Sequence, residues 1–285
     1  MLVLAVAFAM VGVCTGLALE AGASPLAVVT VRSVGTLAVL AAYFAMAGVT
    51  LALPLREIVL AMAIGLPLCL NNYLVNAAMA ELPVPLVVLL FYLWPGITAA
   101  VSWVLGIEPF RWRGLAGLAL AFAGIALALN VDFTAAQAYG VWLSVGAAMT
   151  WTVVFMLMGR YLRGRDTRAH TFYMSVIAAV VFLIACAVAG GVRLPASGAG
   201  WSGMAGVVVF YAFAMIGIFA ASARYGAMRS AFWLNFEPIA AVLLAALILG
   251  QTLAPVQLAG AALVVSALFL FRPRSADAPR RSSGA

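Results

Sequence analysis

Long apolar runs fill most of the chain, and short stretches rich in polar residues, glycine or proline divide them into segments of similar length. A helix needs about 20 residues to cross a hydrocarbon layer that is ~30 Å thick, and most of these runs reach that length. The pattern therefore predicts an all-α membrane protein with ten transmembrane helices. The expected spans are residues 1–19, 24–47, 57–80, 84–106, 111–129, 139–159, 169–190, 201–223, 230–249 and 255–271.

Composition excludes a soluble domain, because 67% of the 285 residues are hydrophobic and only 8% are charged. The first apolar run has no basic segment before it and is longer than the core of a typical signal peptide, so we interpret it as a true span. Cys14, Cys69 and Cys186 lie far apart within apolar runs. This spacing indicates neither a disulfide framework nor a metal cluster, and we expect no metal or cofactor.

The arginines predict the orientation in the membrane. All 15 basic residues are arginine. With a cytoplasmic N terminus, the inner loops and C-terminal tail hold 13 of them, namely Arg56, Arg111, Arg113, Arg160, Arg163, Arg165, Arg168, Arg224, Arg229, Arg272, Arg274, Arg280 and Arg281. Only Arg193 falls in an outer loop. This bias predicts that both termini are cytoplasmic, and attraction to the anionic inner leaflet explains the basic chain without a nucleic-acid partner.

The second half of the chain repeats the first at a distance of 143 residues. YLWPGITAAVSWVLGIEPFRWRGLAGLALAF lies over LNFEPIAAVLLAALILGQTLAPVQLAGAALVVSA, so that Pro95 corresponds to Pro238 and Gly117 to Gly260. Five spans per half is an odd number, so the halves would be inverted in the membrane, as in many secondary transporters. We expect repeats at residues 1–135 and 136–272 and a cytoplasmic tail at 273–285.

Pro95 and Pro238 each fall near the middle of a predicted span. A proline inside a helix removes one N–H donor and displaces the carbonyl four residues earlier. Backbone groups freed at membrane depth are tolerated only where they meet protein, water or a ligand. Two kinks in corresponding positions favour a central cavity with a gating role, although proline is also common in transmembrane helices for packing reasons.

The repeated motif resembles the EamA-type members of the drug/metabolite transporter superfamily. The resemblance is carried by WPGITAAVSWVLGIEPFRWRGLAGLALAFAG, by EPIAAVLLAALILGQTLAPVQLAGAALVVSA and by SPLAVVTVRSVGTLAVLAAY. It covers residues 1–272, and the YLWP of Tyr92–Pro95 is similar to YddG-type aromatic amino-acid exporters. The first helix has the family's pattern only in part, and Gln251 stands where the family generally has Glu.

The resemblance implies a ten-helix basket in which helices 3, 4, 8 and 9 line a central substrate cavity. It also implies that helices 5 and 10 support dimer contacts, so that a monomer and a homodimer both remain open. The partners it implies are a small-molecule substrate and the lipid bilayer of a bacterial inner membrane.

Polar side chains inside spans are candidate substrate ligands, because they are costly in lipid. Glu237 precedes Pro238, about eight residues into its span, and is a candidate proton site or ligand for a substrate ammonium. A structural carboxyl bonded to a neighbouring helix is the alternative. The other cavity candidates are Asn72, Tyr73, Asn76, Tyr92, Trp94, Trp151, Tyr211 and Trp233. For each of these, interhelical packing is the competing interpretation.

Three further charged or titratable residues have predicted structural roles. Arg32 is expected to reach the outer interface and pair with Glu20 or Glu81. Glu108 is expected to cap or pair at the inner end of its span. His170 is expected to be a solvated loop residue.

The leading functional hypothesis is a secondary transporter that exports small organic metabolites, in particular neutral or aromatic amino acids, by alternating access. The alternative is an exporter of lipophilic drugs or organic cations. Enzymatic activity is not expected, because the chain has no HExxH motif, no paired acids on one helix face and a single histidine. No nucleotide-binding motif is present either, so we expect a solute gradient or proton coupling to drive transport.

Overall fold

The computed structural model describes residues 2–107, 109, 112–128, 135–162, 166–225 and 236–270. In these residues every regular element is a helix. The helices are α1 (Leu2–Glu20), α2 (Pro25–Met46), α3 (Leu55–Glu81), α4 (Val84–Phe91), α5 (Trp94–Val104), α6 (Trp112–Ala128), α7 (Ala135–Tyr161), α8 (Arg168–Val188), α9 (Gly198–Tyr225), α10 (Glu237–Leu244), a π-helical turn (Ala245–Leu249) and α11 (Pro255–Leu270).

Seven of the described segments are long and apolar enough to cross a membrane, when α4 and α5 are counted as one segment, Val84–Val104. Three shorter apolar helices accompany them, at Gly114–Gly124, Glu237–Leu249 and Pro255–Ala267. Each of the ten predicted spans overlaps one of these segments. The all-helical prediction is confirmed for the described residues.

Proline divides the fourth predicted span. α4 ends at Phe91 and α5 begins at Trp94, because Pro95 cannot donate a backbone hydrogen bond and fits only the first turn of a new helix. The amide of Leu93 donates to Leu90 instead, in a tighter turn. Pro238 has the same position in the first turn of α10. Two helices therefore begin at corresponding prolines.

The helix starts repeat at the spacing seen in the sequence. Pro25 and Arg168, Leu55 and Gly198, Trp94 and Glu237, and Trp112 and Pro255 are the first residues of helices, and the members of each pair are 143 residues apart. The packing repeats in the same way, because α1 lies against α9 while α3 lies against α7. Helices in corresponding positions thus make corresponding contacts.

Small residues allow a close helix contact between α6 and α11. A Cβ atom at Gly124 would lie 2.7 Å from the carbonyl oxygen of Gly260 and 2.9 Å from the amide of Val264. Backbone cannot yield as a flexible side chain can, so this approach requires glycine. The largest apolar core among the described residues is formed by buried residues of α1, α3, α4, α6, α7, α10 and α11. Trp94 and Ile97, at the start of α5, pack against it.

Hydrogen bonds at one end of the bundle join three segments. Gln251 accepts from the amide of Val84 at 2.9 Å and donates from Nε2 to Glu20 Oε1 at 2.9 Å. The first contact satisfies a free N–H at the start of α4. Glu20 is therefore bonded to Gln251 and not to Arg32.

The sequence-based prediction for His170 is wrong. Its side chain lies in the first turn of α8, and the residue is only 3% exposed. Nε2 lies 3.1 Å from Glu57 Oε2, and Nδ1 lies 3.2 Å from the carbonyl oxygen of Asp166. Helix α8 begins at Arg168, so His170 lies inside the helix, and its contact with Glu57 joins α8 to the start of α3. At the exposed end of this turn, hydrogen bonds from Arg168 lower the pKa of Asp166.

Candidate functional site

Tyr92 and Glu237 meet where the two proline-initiated helices approach each other. The Tyr92 hydroxyl donates a 2.9 Å hydrogen bond to Glu237 Oε2. Tyr92 directly follows α4, three residues before Pro95, and Glu237 is the first residue of α10, one residue before Pro238. The tyrosine is 5% exposed, whereas the glutamate is only partly buried. The carboxyl group is thus fixed at one oxygen by a tyrosine from the other half of the chain.

An aromatic cluster lies beside this hydrogen bond, and we define it as Phe91, Tyr92, Trp94, Trp151 and Phe155. Trp151 of α7 lies edge-on to Trp94, with ring centroids 6.4 Å apart, and 6.1 Å from Phe91. Phe155, one turn further along α7, lies 5.1 Å from Trp94. The structure therefore brings together three of the predicted cavity residues, namely Tyr92, Trp94 and Trp151. Phe91 and Phe155 were not predicted, since apolar rings inside a span carry no distinguishing signal.

Two hydroxyl groups meet the backbone where α5 begins. Thr98 Oγ1 lies 2.7 Å from the carbonyl oxygen of Trp94 and 3.1 Å from Thr152 Oγ1. Thr152 Oγ1 lies 3.3 Å from the same carbonyl. These contacts hold α7 against the first turn of α5 and thereby position Trp94 and Trp151. Neither threonine was predicted from the sequence, since a threonine inside an apolar helix carries no distinguishing signal.

The asparagines of α3 have different environments. Asn71 donates from Nδ2 to the carbonyl oxygen of Ala147 at 2.7 Å, which joins α3 to α7. Asn76 is 1% exposed and donates from Nδ2 to the carbonyl oxygen of Asn72, whereas its Oδ1 has no partner. Asn72 and Asn76 share a face of α3, as predicted. Tyr73 is 40% exposed, and no ring contact joins it to the aromatic cluster among the described residues.

Among the described residues, no ring contact joins Tyr211 to the aromatic cluster. It belongs to what we call the arginine site, made of Phe8, Arg32 and Tyr211. The Arg32 guanidinium carbon lies 4.8 Å from the centroid of the Tyr211 ring, a cation–π geometry. Phe8 of α1 lies edge-on to the same ring at 6.4 Å. The predicted outer position of Arg32 and its pairing with Glu20 or Glu81 are wrong, since Arg32 is only 6% exposed and turns towards α9. The close approach of α2 and α9 covers it.

A model of the EamA-like transporter family matches residues 1–130 and 138–272, almost the whole chain. The chain belongs to the EamA-like transporter family. The resemblance to the drug/metabolite transporter superfamily is thereby confirmed. Together with its apolar helices, membership makes this chain a multi-pass membrane protein of a family whose members are transporters, and this assignment points away from an enzyme.

A solved structure described as "Crystal structure of protein" has the same fold as this EamA-like chain, with a TM-score of 0.62. The match covers 93% of this chain and 95% of the other chain at 18% sequence identity. No curated protein sequence matches significantly. At this identity the similarity supports the fold alone.

Two predicted residues of this EamA-like protein, Trp233 and Glu108, fall outside the described residues. A separate open groove of about 350 Å³ lies between α1 and α9. It is lined by Val3, Val6, Ala7, Val209, Phe210 and Phe213. Because this lining is apolar, the groove offers no group that could orient a polar solute. The aromatic cluster with Glu237 is the better candidate site.

Proposed function

We propose that this protein is a secondary transporter that exports small organic metabolites, specifically neutral or aromatic amino acids, from the cytoplasm by alternating access. The observation that carries the proposal is the hydrogen bond between Tyr92 and Glu237. It places a carboxyl group, an aromatic cluster and two proline-initiated helices at one point inside the apolar part of the chain. An ammonium group can bind the carboxylate, and an apolar side chain can contact the rings.

The proposed architecture is an inverted duplication of residues 1–135 and 136–272 with ten transmembrane helices. The two ranges that the family model matches are almost equal in length, and the helix starts recur after 143 residues, which supports a duplication. The arginine distribution supports cytoplasmic termini in a bacterial inner membrane. The break between α4 and α5 and the start of α10 at Glu237 supply positions at which the two halves would bend during gating.

Proton coupling through Glu237 is the energy source that we propose. Glu237 lies inside the apolar interior, accepts a hydrogen bond from Tyr92 and remains partly exposed. An acid in this setting can be reached by a proton and can exchange it for a substrate ammonium. Corresponding position 94 carries a tryptophan, so the two halves would present an acid and an aromatic ring to one asymmetric solute.

The alternative function is export of lipophilic drugs or organic cations. It is favoured by the same combination of a carboxylate and an aromatic cluster, since aromatic rings with an acid are the chemistry that recognises organic cations. The two functions differ in the charge of the solute. Competition between neutral amino acids and organic cations for one transport activity separates them.

The test is efflux from proteoliposomes that are loaded with labelled amino acids and subjected to an imposed pH gradient. The wild type is compared with Glu237→Gln, which keeps an acceptor oxygen for Tyr92 but cannot carry a proton. We expect neutral amino acids to leave, and we expect only the wild type to respond to the gradient. Glu81→Gln is the matched control, because it removes an exposed carboxylate at the end of α3.

Three outcomes contradict parts of the proposal. Equal efflux from wild type and Glu237→Gln at every gradient would make the protein a facilitator with a structural Glu237. Efflux of organic cations without amino acids would replace the function with the alternative. If Glu81→Gln lost the response to the pH gradient to the same extent as Glu237→Gln, the loss would reflect the total charge of the protein and not the proposed site.

A further inference from the structure

Arg32 is a buried cation that has no counter-ion among the described residues. It is 6% exposed, and Nη2 has no hydrogen-bond partner. Among the described residues, no carboxylate lies within ion-pair distance of it. A charge removed from water is costly unless it is paired, and charged residues inside membranes face an interior pathway or a partner. The missing negative group is therefore a feature to be explained.

Three of the described carboxylates that could have paired with Arg32 bind other side chains instead. Glu20 binds Gln251, Glu57 binds His170 and Glu237 binds Tyr92. The remaining described acids are Glu81, which is exposed at the end of α3, and Asp166, which pairs with Arg168. The protein thus keeps its described carboxylates away from Arg32.

Packing fixes the guanidinium in place. A Cβ atom at Gly35 would lie 2.7 Å from Val208 Cγ1, so α2 and α9 are close at this level. Gly35 and Arg32 are three residues apart on α2, as are Val208 and Tyr211 on α9, so the same contact sets the cation against the tyrosine ring. One face of the guanidinium is covered by this ring, and an edge that carries Nη2 donors remains unused.

A second unused polar group lies one helical turn further along α2. Thr36 is 2% exposed, and its Oγ1 has no partner. Thr30 on the same helix instead donates to the carbonyl oxygen of Leu26 at 2.7 Å, the usual contact of a threonine in a helix. Because residues four apart share a helix face, Arg32 and Thr36 present two free donors in the same direction.

We infer that Arg32 binds the carboxylate of the transported solute, with Thr36 as a second donor. The inference rests on the proposed transport function and deepens it, because it assigns the group that binds the carboxylate that every amino acid carries. A guanidinium matches a carboxylate with two parallel hydrogen bonds. The bound carboxylate supplies the counter-charge that the described residues lack, and Tyr211 keeps the planar guanidinium in a fixed orientation.

The experiment measures binding directly, by the shift in the melting temperature of the purified full-length protein in detergent. The probes are 3-phenylpropionate and 3-phenylpropanamide, which differ only in the carboxylate. We expect the acid to stabilise the wild type with an apparent Kd at least about tenfold lower than that of the amide, since a desolvated charged pair gives this level of discrimination. Similar affinities in the wild type overturn the inference, and this comparison needs no variant.

The variants assign the preference to a residue. Arg32→Gln is expected to bind acid and amide equally, and Arg32→Lys to keep only part of the preference, because lysine retains the charge without the fork. Arg193→Gln, an exposed arginine in a loop, is the matched control and should behave like the wild type. An acid preference that persists in Arg32→Gln overturns the inference.

The binding assay and the efflux assay test the two proposals independently, so that either proposal can be overturned without the other. A protein that prefers the acid but transports no amino acid would overturn the proposed amino-acid export and leave the carboxylate site standing. A protein that exports amino acids without preferring the acid over the amide would keep the proposed function and remove the role of Arg32.

Discussion

Glu237 and Arg32 are charged residues inside apolar helices, and their surroundings are opposite. Glu237 has a donor from another helix, the hydroxyl of Tyr92 at 2.9 Å, and is still partly exposed. Arg32 is more deeply buried, yet its polar contact is the face of a ring, and Nη2 remains unpaired. A satisfied acid that can be reached suits reversible protonation. An unsatisfied cation in a fixed orientation suits a ligand that brings the missing charge.

The two sites also differ in what they connect. The acid joins α4 to α10 at the two proline breaks, where the chain can bend. The arginine site joins α1, α2 and α9 within continuous helices. Bending at these positions would therefore change the surroundings of Glu237 first, whereas Arg32 would keep its position between continuous helices. This difference separates a role in coupling from a role in binding.

The largest expected effect distinguishes these roles by transport mode. Arg32→Gln should reduce both gradient-driven efflux and exchange of labelled for unlabelled amino acid to the level of protein-free liposomes, because the solute is no longer bound. Glu237→Gln should lose only the gradient-driven component, since exchange requires no net proton movement. Both fluxes are measured on the same proteoliposomes. Exchange by Arg32→Gln at the wild-type rate would contradict the binding role of Arg32.

The next effect concerns the stability of the acid site. Tyr92→Phe removes the hydroxyl that satisfies Glu237 and should destabilise the protein by about 1 to 3 kcal/mol, the range for a lost hydrogen bond to a buried or charged group. The fall in melting temperature is followed by intrinsic fluorescence. Tyr73→Phe, at an exposed position of α3, should leave it unchanged. Equal shifts in both variants would mean that the hydrogen bond contributes nothing.

The arginine site should respond with the opposite sign. Arg32→Met removes an unpaired buried charge while retaining an unbranched apolar stem, so the ligand-free protein should gain about 1 to 3 kcal/mol of stability. The melting temperature should rise in the absence of solute, and stabilisation by 3-phenylpropionate should disappear. Arg193→Met serves as the control. A lower melting temperature would show that Arg32 is already satisfied in the protein.

The smallest effect compares two buried threonines. Thr36→Val should change stability by close to zero, because its hydroxyl has no partner to lose. Thr152→Val should cost about 1 kcal/mol, since it loses the contacts with Thr98 and the carbonyl of Trp94. Thermal melting of the two variants side by side measures the difference. A larger loss for Thr36→Val would contradict the free hydroxyl on which the carboxylate site depends.

The sequence by itself determined the helical, membrane-spanning character of the chain and its family. Hydropathy runs suffice for this because every backbone polar group in a bilayer must be satisfied within a helix or a closed barrel. The proline breaks were also predictable, since the loss of an N–H donor at Pro95 and Pro238 is a local property. The pairing of repeated motifs at a spacing of 143 residues could likewise be seen without a structure.

Only the tertiary structure decided which side chains meet. Tyr92 and Glu237 are 145 residues apart, and Arg32 and Tyr211 lie on helices that packing alone brings together. Sequence reasoning placed Arg32 at the interface and His170 in solvent, because a long or titratable side chain near a helix end usually reaches water. Whether it does depends on the neighbouring helix, which a one-dimensional pattern does not contain. The close contact of Gly35 with Val208 buries Arg32, and the start of α3 covers His170.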